Sequence, residues 1–314
     1  MILLLVVMAI CLIIGIPIAF SIAFSIAISS LVYLQVNQSV PLPVVALRMV
    51  VGIDTFTLLA IPLFLLAGAL MAEGGITSKI MRFASALVGR IPGGMAMVMV
   101  ISCMLFGAIS GSGVADVAAI GAIMLPAMKE QGYKPSFSAA LLGCSGSLGT
   151  IIPPSIVMVI LGITMETSIG KLFLGGIIPG ILTGSALMML SYFFAVKEHY
   201  PRGERFSLQE VYASFKEAIL PLLTPIIIVG GILEGIFTAT EAGGVAAAYA
   251  FFLSVVVYKK ISFKRLYEIF FSVAKTSAVV LFIISAASLF GWILADEQIP
   301  QLVAHYILSL SHNY

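Results

Sequence analysis

Long apolar runs make up most of this chain, and the polar stretches between them are short and unevenly charged. From Ile2 to Leu34 no charged residue occurs, and the first charge of either sign is Arg48. Further apolar runs cover 56–73, 92–128, 136–164, 172–196, 219–238, 241–258 and 276–295. About 18 apolar residues suffice for a helix to cross ~30 Å of hydrocarbon, so the pattern predicts an all-α polytopic membrane protein. The run at 3–34 reads as the first membrane helix, because it lacks a basic flank and is too long for a signal sequence. Two charged segments, "SLQEVYASFKEAIL" (207–220) and "SFKRLYEIFFSVAK" (262–275), mix aromatic and charged residues at helical spacing. They are expected to be interfacial helices lying along the membrane, with a solvated connector as the alternative.

Composition agrees: 61% hydrophobic and 10% charged residues, with a mean hydropathy of +1.17. Soluble domains carry about 25% charged residues, and a net charge of +2 gives no signature of nucleic-acid binding. Lipid is the expected surrounding. Cys11, Cys103 and Cys144 sit in apolar stretches without a CxxC spacing and read as small core residues.

The basic residues fall in alternate connections. Lys79, Arg82 and Arg90 form one group, and Lys129 and Lys134 the next. Lys197, Arg202, Arg205 and Lys216 form a third, and Lys259, Lys260, Lys264, Arg265 and Lys275 a fourth. The positive-inside rule places these groups and the N-terminus in the cytoplasm. Glu166, Glu241, Asp296 and Glu297 then fall at the outer face.

A weak internal repeat aligns Leu58–Ile76 on Leu281–Ile299, pairing Gly68 with Gly291 and Glu73 with Asp296. The two copies would cross in opposite directions, as in the inverted repeats of secondary transporters. The expected division is 1–205 for the first repeat (scaffold, hairpin 92–128, broken helix 136–164) and 206–314 for an interfacial helix and an incomplete second repeat. Carrying the offset forward from Ser110 lands beyond Tyr314, so the chain reads as the N-terminal part of a longer protein.

Three motifs interrupt the apolar pattern. In "LFGAISGSGVADVAAIG" (105–121), both flanking connections are basic, and the second arm, Val114–Met128, is about 22 Å long at ~1.5 Å per residue. A re-entrant helical hairpin with its tip at 110–113, around Gly111 and Gly113, fits better than two full crossings. Asp116 lies just inside the second arm, where a carboxylate favours the helix dipole. At about 2.5–3.5 kcal/mol for insertion, an ionised Asp at membrane depth demands a partner. Either a cation from solution fills that place, or Asp116 caps the arm or pairs with a distant base.

In "GCSGSLGTIIPPSIVMV" (143–159), Pro153 and Pro154 cannot donate to the carbonyls of Gly149 and Thr150, and Ile152 is pushed from helical conformation. The crossing must break near its middle. The expected Na⁺ shell is Ser110, Ser112 and Asp116 with Gly149, Ile152 and Pro154, the last three mainly through backbone. A substrate carboxylate is expected near Ser112, Thr150 and Ser155. In "GIFTATEAGG" (235–244), Thr240 followed by Glu241 reads as a helix N-cap with an acid in the first turn, with a gating or partner role for Thr238 or Glu241 as the alternative.

Together "SGSGVAD", "GTIIPPSI" and "FTATEAG", in this order and spacing, resemble the large membrane subunit of tripartite ATP-independent periplasmic (TRAP) transporters, the DctM type. The resemblance covers essentially the whole chain. It implies an inverted-repeat, elevator-type carrier in the bacterial inner membrane, without a cofactor. The family's cargo is an organic acid such as a C4-dicarboxylate, a sialic acid or a keto-sugar acid. A periplasmic binding protein (DctP type) delivers the acid, a small four-helix membrane subunit (DctQ type) braces the scaffold, and a Na⁺ gradient drives uptake. The resemblance also implies a second hairpin and second broken helix, which would lie beyond Tyr314.

Two other classes fit poorly. A serine hydrolase needs a base beside Ser110 or Ser112, and His199, His305 and His312 all lie at or beyond span ends. A channel needs a continuous polar lining, whereas the polar residues here gather at two helix breaks.

Overall fold

The computed structural model describes residues 2–15, 18–37, 42–201 and 207–310. Regular structure among them is helical: α1 Ile2–Ile13, α2 Ile18–Asn37, α3 Leu42–Val51, α4 Ala60–Glu73, α5 Ile76–Val88, α6 Gly94–Ser110 and α7 Gly113–Glu130. There follow α8 Pro135–Gly146, α9 Ile156–Thr164, α10 Ile169–Lys197, α11 Leu208–Leu233, α12 Ala239–Phe251, α13 Phe263–Asp296 and α14 Ile299–Leu310. Short 3-10 turns precede α4 and follow α8, and a π turn, Phe252–Val257, extends α12. Among the described residues, five helices are long and apolar enough to cross a membrane: Phe56–Glu73, α10, α11, Ala239–Val257 and α13. The protein is an all-α, multi-pass membrane protein. Arg202, Arg205 and the expected boundary at 205/206 lie outside the described residues.

The described chain forms two compact units, Thr57–Val273 and, separately, Met1–Phe56 with Ala274–Tyr314. In the second of these, Tyr33, Leu34, Val45, Leu289 and Ile293 make a core. Ser285 donates to the Met49 carbonyl at 2.7 Å, and the Arg48 guanidinium lies 4.9 Å from the Trp292 ring. The single first helix expected at 3–34 is instead two, α1 and α2. Gly15 at φ +79° takes the backbone out of the right-handed helix, a conformation that glycine adopts without steric cost.

In the 57–273 unit, α4 and α12 run side by side in the same direction. Gly243 faces Ala60 and Leu63 near their starts, and the Ser254 hydroxyl donates to the Leu70 carbonyl at 2.8 Å near their ends. The α12 cap differs from expectation. Thr238, not Thr240, is the N-cap: its hydroxyl accepts from the Glu241 N–H at 3.3 Å, and the Glu241 carboxylate accepts from the Thr238 N–H at 2.8 Å. This reciprocal box satisfies two otherwise unpaired backbone or side-chain groups, whereas Thr240 is already within the first turn and buried.

The two expected interfacial helices do not exist as separate elements; they are the opening turns of α11 and α13. Pro221 and Pro225 lie inside α11 without ending it. Pro221 removes the donor to the Glu217 carbonyl, and the Tyr258 hydroxyl donates to that carbonyl at 3.5 Å.

The expected basic connection around Lys79, Arg82 and Arg90 is instead largely an amphipathic helix, α5. It buries Ile76, Thr77, Ile80 and Ala84. Its opposite face carries Arg82, which donates to Glu210 at 2.8 Å and Glu217 at 2.6 Å on α11. The Glu210 hydrogen bond, then that of Glu217, raises the Arg82 pKa from its ordinary value. Phe83 packs on Phe215 at 5.6 Å between ring centroids. The helix leading into the hairpin is thus held against α11.

Candidate functional site

The hairpin expected at 92–128 is formed by α6 and α7, which pack on each other. Its arms have 17 and 18 residues, about 26 and 27 Å at ~1.5 Å per residue. The second arm is longer than the expected Val114–Met128 because α7 starts at Gly113 and runs on to Glu130, with Pro126 inside it. Gly111, at φ +64°, ends α6, and Ser112 begins α7 as its N-cap, accepting from the Ala115 N–H at 3.4 Å. Ser112 therefore does the capping, and Asp116 is free of it.

The crossing at 136–164 breaks as expected. After α8 come a 3-10 turn, Ser147–Thr150, and a non-helical passage through Pro153 and Pro154; α9 begins after Ser155. The two breaks meet directly, since the Ile156 N–H, in the first turn of α9, donates to the Gly111 carbonyl at 3.1 Å. On its other side the tip approaches α4: a Cβ at Gly68 would lie 3.1 Å from the Ser110 Cα and carbonyl oxygen. The tip thus sits between Gly68 of α4 and the break that precedes α9.

Asp116 is fully buried. Its Oδ1 accepts the Ser110 hydroxyl at 2.5 Å, and Ser110 is itself buried. Its Oδ2 has no hydrogen-bond partner among the described residues. Nor does any salt bridge among them involve Asp116. The unpartnered oxygen is wedged between two glycines. A Cβ at Gly107 would lie 2.7 Å from both Oδ2 and the Gly149 Cα, and one at Gly149 would collide with Oδ2. Gly107 and Gly149 are thus close-approach positions that let two backbones enclose the carboxylate. Their role was not read from the sequence, although Gly107 is spaced about one helical turn before Ser110.

The remaining expected residues sort by what they touch. The Thr150 carbonyl, expected to be free, accepts the Ser155 hydroxyl at 2.7 Å. Ser155 also caps α9 by accepting from the Met158 N–H at 3.4 Å, and it is buried. The Thr150 hydroxyl donates to the Ser147 carbonyl at 2.7 Å. Gly149, by contrast, is followed four residues on by Pro153, which has no N–H to offer its carbonyl. Pro154 presents its carbonyl toward Gly111, where a Cβ would come within 2.8 Å of it. Gly113 packs on the Gly146 carbonyl, again with no room for a side chain. Ser112, Thr150 and Ile152 remain partly accessible at the same junction, while Pro153 is buried. Ser110, Ser112, Asp116, Gly149, Thr150, Pro154 and Ser155 therefore converge on one place, whereas the Ile152 side chain packs on Gly180 of α10 and lines an apolar pocket with Met104, Ile177 and Pro225. Thr238 and Glu241 hydrogen-bond each other at the start of α12, away from the hairpin tip in sequence.

The chemistry on offer is hard oxygen: one carboxylate, hydroxyls and backbone carbonyls. Among the described residues no group of three or more His, Cys, Asp or Glu side chains gathers. Such a donor set suits a singly charged hard cation better than a borderline-soft transition metal.

Residues 5–314 match the family model of the tripartite ATP-independent periplasmic transporter, DctM component. The chain is 43% identical over 284 residues to the sialic acid TRAP transporter large permease protein of Vibrio cholerae, covering 90% of this chain and 66% of that one. It is 39% identical over 293 residues to the C4-dicarboxylate TRAP transporter large permease protein of Rhodobacter capsulatus, covering 89% and 67%. A third relative is the 2,3-diketo-L-gulonate TRAP transporter large permease protein of Escherichia coli, 39% identical over 267 residues and covering 85% and 63%. The chain thus spans about two thirds of the length of these curated relatives. It belongs to the DctM component family of tripartite ATP-independent periplasmic transporters.

Proposed function

We propose that this chain carries the first cation site of a Na⁺-coupled uptake system for an organic acid. The observation that carries this reading is Asp116 Oδ2, fully buried and without a partner, at the junction of two interrupted helices. An ionised carboxylate is costly there unless a positive charge meets it, and the described residues supply none. A Na⁺ ion held by Asp116, Ser110 and Ser112, with carbonyls from Gly149, Ile152 and Pro154, removes that cost. Discontinuous helices at mid-depth are where secondary transporters place coupling ions.

Binding of Na⁺ neutralises Asp116 and draws the hairpin tip and the break together. The acid's carboxylate then docks beside Ser112 and Thr150, the hydroxyls at the junction that remain partly accessible, while Ser155 holds the break beneath them. The substrate class is that of the relatives: a sialic acid, a C4-dicarboxylate or a diketo-sugar acid. The working assembly includes a small four-helix membrane subunit and a periplasmic binding protein that delivers the acid. It lies in the inner membrane with the N-terminus in the cytoplasm. The hairpin moves across the membrane against a scaffold. Residues 1–205 form one repeat, and Gly291 in the second aligns with Gly68, which lies beside the first hairpin tip.

Asp116→Asn tests this, because Asn keeps an oxygen for Ser110 and loses only the charge. In proteoliposomes holding the assembled transporter, the variant is expected to lose Na⁺-dependent uptake. Uptake that keeps the wild-type sodium dependence would remove Asp116 from the ion site.

A further inference from the structure

A polar cavity of about 590 Å³ lies in the 57–273 unit away from the hairpin tip, where α4 turns into α5 and the end of the π turn meets α11. Its walls carry Lys79, Arg82 and Lys260 against Glu217, with Ser78 and Tyr258 beside them. The cations are not equally engaged. Arg82 is bound to Glu210 and Glu217. The Lys79 ammonium is 3.9 Å from Glu217 and lies 4.6 Å from the Tyr258 ring centroid. Lys260 makes no side-chain ion pair or hydrogen bond among the described residues, although its stem lies over Gly75. α5 opens at Gly75 with no side-chain cap, which adds backbone N–H groups on the same wall. The exposed aromatics Phe263 and Tyr267 follow Lys260 at the start of α13, as befits a membrane–water interface.

We propose that this cavity binds a phosphate-bearing anion, and that its source is the headgroup of an anionic phospholipid in the leaflet that the basic connections face. Positive side chains exceed the carboxylates present, and two of the three ammonium or guanidinium groups have capacity left for a phosphate. A phosphodiester fits between Lys79 and Lys260, the uncapped first turn of α5 supplies backbone N–H donors while the Ser78 hydroxyl donates to the Gly75 carbonyl at 2.8 Å, and Val257 and Tyr258 form an apolar edge for the glycerol backbone. Basic pockets between membrane helices recognise such headgroups. Because α5 leads into the hairpin, an occupied cavity also steadies the α5–α11 clamp.

The test is lipid retention by native mass spectrometry on the protein purified from nanodiscs of phosphatidylglycerol with phosphatidylcholine. Wild type and Lys260→Arg are expected to retain phosphatidylglycerol selectively. Lys260→Gln should weaken it about five-fold, and Lys79→Gln with Lys260→Gln about thirty-fold. Lys129→Gln, a basic-connection control elsewhere, should leave it unchanged. Adding inorganic phosphate separates the sources. No displacement supports the lipid, whereas displacement at millimolar phosphate keeps the anion site but assigns it to a soluble ligand. Equal retention by Lys260→Gln and wild type, both folded by circular dichroism, would overturn the proposal. Should the double variant fail to fold, the single Lys260→Gln, which breaks no ion pair, decides the matter.

Discussion

At Asp116 one carboxylate oxygen is satisfied by Ser110 and the other by nothing in the described chain, and two glycines without side chains make that arrangement possible. The balance is sensitive to a single methyl group. Gly149→Ala places a Cβ on Oδ2 and 3.0 Å from the carboxylate carbon, so the acid must turn away. With overpacking costing about 1–3 kcal/mol, the Na⁺ half-saturation of uptake should rise roughly tenfold. Unchanged sodium affinity in a folded Gly149→Ala protein would mean that Oδ2 faces no ion. Asp116 and the serines were legible in the sequence because polar residues stand out in an apolar run. Gly107 was not, and Gly149 only as a source of a backbone carbonyl, because close approach is a property of pairs of helices. Ser155 showed the same limit: its hydroxyl is spent on the Thr150 carbonyl and the α9 cap, a pairing that proline positions alone do not reveal.

Among the elements, the two breaks were the most legible. A proline pair removes hydrogen-bond donors wherever it lies, and α9 could not begin before Ser155. Helix continuity was less so. Segments with mixed charge at 207–220 and 262–275 read as independent interfacial helices, yet no glycine separates them from the spans that follow, and they continue into α11 and α13. The reverse error hid α5. Its cations suggested a connection, while the spacing of Ile76, Ile80 and Ala84 carried a helix signal of period four. The clamp that holds α5 to α11 can be tested by charge. Arg82→Glu sets three carboxylates together and should lower the melting temperature in detergent. Glu217→Arg in the same chain should restore part of the loss. No recovery would show that Phe83 and Phe215, not the ion pairs, hold these helices together.

For the whole molecule, the apolar runs alone fixed the membrane class, and three short motifs were enough to point to the DctM family. Orientation rests on the distribution of Lys and Arg and is open to labelling. In a background without the native cysteines, Glu166→Cys should react with a membrane-impermeant maleimide on intact spheroplasts. Lys129→Cys should react only after permeabilisation, and the opposite pattern would invert the topology.

The central claim is that an alkali ion sits between the hairpin tip and the broken crossing, and direct binding of radioactive sodium to the purified protein tests it most simply. Wild type and Lys260→Gln should bind sodium alike, and Asp116→Asn should lose the ion contributed by this site. Equal sodium binding by wild type and a folded Asp116→Asn protein would contradict the account.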